Sequence, residues 1–92
     1  MKFDLGKVYV TRGVNEKTQK NFVFGAFVIA SLQKHHNGDW GDLCDEDKET
    51  NEWSLKNGER LLSKYDFDEN TSIYIITEWD RSVTTILFPD EY

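Results

Sequence analysis

Cysteine occurs once in this chain, at Cys44, and proline once, at Pro89. A single cysteine excludes an internal disulfide and any cysteine-based zinc site. Asp42, Asp45, Glu46 and Asp47 crowd around it. Thiolate chemistry prefers positive surroundings, so Cys44 reads as a small residue at a helix start and not as a nucleophile. Long apolar runs are also missing. The longest, Phe22 to Ala30, is broken by Gly25 and falls well short of the roughly 20 residues a membrane helix needs. Asp4 and Lys7 stand where a signal peptide would need its apolar centre, so a cytoplasmic location is expected, with no membrane partner. Positive charge is scarce as well: 11 Lys and Arg stand against 17 Asp and Glu, a net charge of −6. Phosphate contacts need a clustered basic face, so direct nucleic-acid binding is not expected.

What is present is charge asymmetry and aromatic mass. The bases Lys2, Lys7, Arg12, Lys17, Lys20 and Lys34 lie in the first 38 residues, whereas the acids concentrate after them. Such a division can orient a protein partner, and it also serves solubility. Six Phe, four Tyr and three Trp in 92 residues suffice for one core without staples, and one domain over residues 1–92 is expected.

Periodicity predicts an α+β fold. Phe3 to Thr11 reads as a short strand, with Val8 and Val10 on one side and Lys7 and Tyr9 on the other, an edge strand by its lysine. Asn15 to Lys20 predicts one or two helical turns capped by Asn15. Asn21 then caps a longer helix from Phe22 to His36, closed by Gly38. This helix is apolar nearly all round, which places it centrally in the core or against a second subunit; Phe and Val runs also suit a strand. Asp42 to Asn57 predicts a surface helix with acids in its first turn, a Glu52–Lys56 pair and Gly58 as its stop. The last third predicts strands over 60–67, 71–78 and 82–88 joined by tight turns. The expected architecture is an N-terminal strand, two helices, and a three-stranded antiparallel meander, with the helices packed on one sheet face.

Two polar clusters stand out. His35-His36-Asn37-Gly38-Asp39-Trp40-Gly41-Asp42 combines imidazoles and carboxylates, which can ligate a divalent metal or act as a general base. Caps and turns explain most of the same residues, with Gly38 ending one helix, Asp39 or Asp42 starting the next, and Trp40 plugging the gap. The second cluster is Glu78-Trp79-Asp80-Arg81-Ser82. Here Glu78 or Asp80 suits a ligand or acid–base role and Arg81 an anion holder, with Arg60 in reach; a well-capped hairpin with a surface ion pair is the simpler account of the same residues. The candidate polar site is therefore His36, Asp39, Trp40, Asp42, Arg60, Glu78, Asp80 and Arg81, with no cofactor implied. No P-loop, dinucleotide-binding glycine pattern, nucleophile elbow or zinc-protease helix occurs.

His36-Asn37-Gly38-Asp39-Trp40-Gly41-Asp42-Leu43, then Asn51, Arg60-Leu61-Leu62-Ser63, Tyr65, Ile75-Ile76-Thr77-Glu78, Asp80-Arg81-Ser82, Thr84-Thr85-Ile86-Leu87 and Pro89-Asp90-Glu91-Tyr92 carry a resemblance. Over residues 36–92 the chain resembles a family of small, uncharacterised bacterial proteins labelled plasmid-related and sometimes called a type I restriction subunit. The resemblance implies a mobile-element or phage setting and no catalytic residue. Before His35 the chain departs from the family, whose helix there is more ordinarily amphipathic.

Two functions are expected on this basis. The first is an acidic protein-interaction module, in one version an anti-defence inhibitor, with a protein partner or a homodimer through the Phe22–His36 helix. The second is a small metal-assisted hydrolase or nucleic-acid-processing enzyme using the two polar turns. Convergence of those turns in space decides between them.

Overall fold

A computed structural model describes residues 2–92. In chain order the elements are β1 (Lys7–Val10), α1 (Arg12–Lys20), α2 (Phe22–His36), α3 (Asp45–Asn57), β2 (Leu61–Asp68), β3 (Thr71–Thr77) and β4 (Val83–Leu87), followed by a 3-10 turn at Pro89–Glu91. The class is α+β as expected. Three α-helices replace the expected two, because Thr11 and not Asn15 opens α1: the Thr11 hydroxyl accepts the Val14 amide at 3.4 Å, one turn earlier than Asn15 would allow. Asn21 caps α2 through the Phe24 amide at 3.0 Å. The far end of α2 closes on Gly38 at φ 79°, where the Gly38 amide reaches the His35 carbonyl and the Asp39 amide the Lys34 carbonyl. These are the two hydrogen bonds of a Schellman stop. The strand alternative for Phe22–His36 is thereby settled as helix.

The sheet is mixed, which corrects the antiparallel expectation. β2, β3 and β4 pair consecutively antiparallel, and β1 joins β4 in parallel, giving the order β1-β4-β3-β2. Lys7 aligns with Val83 and Val10 with Ile86. Gly6, at φ 65°, lets the chain approach the Ser82 backbone closely enough for this pairing, since a Cβ there would overlap it.

One face of the sheet carries Leu61, Ser63 and Tyr65 of β2, Ile73, Ile75 and Thr77 of β3, and Thr84 and Ile86 of β4, all buried. Val14 of α1 and Phe24 and Val28 of α2 pack on the aliphatic part, with Tyr65. A second cluster joins Phe3, Trp40 and Leu61, with Leu55 of α3 against it. The helices therefore do not all share one face. α1 and α2 lie on it, while α3 runs beside the β2 edge, where Asn51 meets the Leu62 backbone. The opposite face is partly covered by the returning C-terminus, with Tyr92 edge-on to Tyr74 at 5.9 Å.

Candidate functional site

The first polar cluster closes the outer edge of β2. Leu62, Lys64 and Asp66 turn their backbone groups away from β3, and each would otherwise be unpaired. Asn51 in mid-α3 acts as a substitute backbone: its Nδ2 donates to the Leu62 carbonyl at 2.6 Å, and its Oδ1 accepts the Leu62 amide at 3.1 Å. The Lys64 amide donates to the Trp40 carbonyl at 3.4 Å, and the Lys64 carbonyl accepts the Asp42 amide at 2.7 Å. Asp42 then accepts the Asp66 amide on its carboxylate at 2.9 Å. Gly41 lies between, at φ 78°, in a one-residue parallel bridge to Lys64. A side chain there would run into the Lys64 carbonyl and the Tyr65 ring.

The remaining members of this cluster have similar duties. Asp39 accepts the Gly41 amide at 3.1 Å, and its carbonyl accepts the Tyr65 hydroxyl at 2.5 Å. Burial, chiefly, raises the Tyr65 pKa above its usual value. Trp40 is buried and donates its indole N–H to Glu52 at 2.6 Å. Glu52, expected to pair with Lys56, is thus taken by Trp40. His36 is half-buried and lies edge-on to Phe3 at 5.9 Å.

The second cluster is a turn that locks itself. Asp80 accepts both the hydroxyl and the amide of Ser82, at 2.6 and 3.1 Å, and these bonds hold its pKa below the usual carboxylate value. Arg81 takes the left-handed conformation at φ 60° and points its guanidinium at the carbonyls of Glu59, Glu78 and Ser54. It ties the turn to the C-terminal end of α3, where the helix dipole favours a cation. Glu78 contributes its backbone, its amide donating to the Val83 carbonyl at 3.0 Å. Arg60 does not join this turn. Its guanidinium donates to the Tyr92 hydroxyl at 2.5 Å and lies 5.2 Å from the centre of that ring.

The two clusters do share a neighbour. Phe3 stacks near Trp40 at 6.1 Å, meets His36 edge-on, and carries the Arg81 guanidinium 5.8 Å from its centroid. The turns therefore meet across an aromatic ring and bring no carboxylate to an imidazole. Among the described residues, no three His, Cys, Asp or Glu side chains gather as a metal site would require. Two surface grooves, of about 430 and 310 Å³, are lined by none of the eight candidate residues. Cys44 is exposed at the start of α3.

Sequence reasoning passed over the most ordered polar feature, a hydrogen-bond chain through His35. The ring is fully buried, with Nδ1 2.6 Å from Ser63 Oγ and Nε2 2.9 Å from Thr77 Oγ1. Thr77 Oγ1 is 2.7 Å from Thr84 Oγ1, and Thr84 donates to the Leu5 carbonyl at 2.7 Å. The Leu5 carbonyl can only accept, and each hydroxyl has one proton. Thr77 must then donate to Thr84, His35 Nε2–H must donate to Thr77, and Ser63 must donate to Nδ1. One tautomer satisfies the whole chain. Burial, with help from the charges of His36 and Arg81, lowers the His35 pKa to about 3, so the ring is neutral and structural. A legible signal existed: Ser63, Thr77 and Thr84 are polar residues at inward strand positions, which require a buried partner.

The other outstanding feature is the outer side of α2. Phe22 is 91% exposed, Val23 67% and Ile29 63%, with Ala26 and Ala30 exposed beside them. The outer side of α2 is therefore an apolar helix face left in contact with water.

No protein-family model, curated protein or solved structure matches the chain. Among the described residues no helix is long and apolar enough to cross a membrane.

Proposed function

We propose that this chain is a non-enzymatic protein-interaction module and that the outer face of α2 is its working surface. The observation that carries this reading is the nearly full exposure of Phe22, with Val23 and Ile29 beside it, on a helix whose other side is already packed. Apolar side chains in water favour burial, and the fold buries only one side of this helix. The polar turns support the same reading from the opposite direction. Their side chains hold backbone groups at the β2 edge and at the end of α3, which leaves few free for chemistry. The exposed acids Asp45, Glu46, Asp47 and Glu49 of α3 add an electrostatic surface that steers a basic partner. In a mobile-element setting, a host defence protein that binds nucleic acid is such a partner.

A photo-crosslinking residue placed at Ala26, and separately at Glu49 as a control, tests the surface in cells of the source organism. Protein adducts concentrated at position 26 are the expected result. Adducts absent at 26 but abundant at 49 would transfer the function to the acidic face and overturn the choice of α2.

A further inference from the structure

From the spacing and sizes of the exposed α2 residues, we infer that the surface binds a second copy of this chain through an antiparallel α2–α2 pair. The inference rests on the interaction reading above and names its occupant. Phe22, Ala26, Ile29 and Gln33 follow one another at intervals of four, three and four residues, all exposed. That spacing is the seam of two helices crossing at a shallow angle. Val23 and Ala30, seven residues apart, flank the seam on one side.

Self-complementarity selects the partner. When the two copies run antiparallel, Ala26 of one meets Ile29 of the other, and the two-fold axis repeats the contact. Each of the two inner layers then sets a small side chain against a large one, which favours interdigitation. The outer layers place Phe22 against Gln33 of the second copy. No charged residue lies between Phe22 and Gln33. Pairing therefore brings no like charges together along the seam, and the antiparallel helix dipoles oppose each other favourably. A heterologous partner would have to recognise a stripe with no charge and one amide, whereas a second copy supplies matching shape by symmetry.

Area sets the strength. The five apolar residues offer on the order of 500 Å² per copy, against roughly 800 Å² for a standard stable interface. The dimer is accordingly weak and reversible, with dissociation in the range of about 10–100 μM.

Sedimentation of the full chain between about 1 μM and 1 mM tests this. The expected result is a rising dimer fraction for the natural chain, and a monomer throughout for the Phe22→Glu, Ile29→Glu double variant. Both substituted side chains are exposed, so its circular dichroism should be unchanged. In a Cys44→Ser background, mixing Ala26→Cys with Ile29→Cys chains should form the mixed disulfide several-fold faster than either forms with itself. A natural chain that stays monomeric at 1 mM, or a dimer indifferent to the double variant, would overturn the second-copy inference. Monomer together with crosslinks to another protein at position 26 sinks the dimer alone, whereas monomer without any such crosslink sinks the surface as well.

Discussion

Along β2 the outward backbone groups of Leu62, Lys64 and Asp66 are met one by one by Asn51, Trp40 and Asp42. Along β1, at the other side of the same sheet, nothing comparable happens among the described residues. The Lys7 amide reaches Ser82 and the Thr11 amide reaches Ile86, so by strand alternation the amides and carbonyls of Val8 and Val10 point away from β4. All four β1 residues are exposed. The difference teaches how a small sheet manages its edges. α3 returns to β2 through Gly58–Arg60, which keeps it alongside that strand and puts Asn51 within reach of Leu62. β1 instead feeds straight into α1, which leaves for the packed face, and the edge is protected only by being four residues long and carrying Lys7.

The sharpest way to break the closed edge is Gly41→Ala. The position needs a positive φ, and a Cβ would meet the Lys64 carbonyl, so the loop must leave the strand. A loss of about 3–5 kcal/mol is expected, read as a lower urea midpoint, and a stability within 1 kcal/mol of the natural chain would show that the bridge does not matter.

The His35 chain spans the sheet from β2 to the segment before β1, and it predicts acid sensitivity. The unfolded ring titrates near 6.5 and the folded one at about 3. Below pH 6.5 the unfolded state binds the extra proton, so its contribution to stability is complete above 6.5 and falls as pH drops toward 3. The slope should be about 1.4 kcal/mol per pH unit, roughly 2–3 kcal/mol between pH 6.5 and 4.5. Urea midpoints measured from pH 8 to 4.5 check this. A flat profile, or one unchanged in His35→Gln, contradicts the buried neutral ring.

Asn51→Leu removes the side-chain substitute for a neighbouring strand and leaves two Leu62 groups unpaired, at a cost of about 2–3 kcal/mol. It also opens a second bare edge, so faster aggregation than in an equally destabilised core variant is expected by light scattering.

The smallest effect tests the open edge. Val8→Pro loses an amide that points to solvent and should cost less than about 1 kcal/mol, whereas Tyr9→Pro loses an amide facing β4 and should cost about 2–3 kcal/mol. Equal costs would mean that the β1 edge is not open.

Much of this was legible from residue order. Asn21 before Phe22, and Gly38 after His36, marked α2 within a residue at each end, because caps act locally. The strands β2 to β4 followed from alternation and short turns. The polar cluster at 36–42 was legible as a loop, but its duty was not, since Asp42 meets Asp66 across 24 residues. His35 was seen and misjudged for the same reason: Ser63 and Thr77 lie 28 and 42 residues away. Arg60 was placed with the wrong turn because its partner is the last residue of the chain.

The amino-acid sequence by itself determined α2 and the strands β2 to β4 with their approximate ends, the acidic C-terminal half and the apolar character of α2. These depend on contacts within a few residues, where hydrogen-bond spacing and side-chain period leave little choice. Tertiary structure alone decided that β1 would run parallel to β4, that Asn51 and the 40–42 loop would finish one edge while the other stayed bare, and that the unpacked side of α2 would face outward with Phe22. Each of those outcomes depends on which distant segment reaches a given backbone group or apolar face, and no local period encodes it.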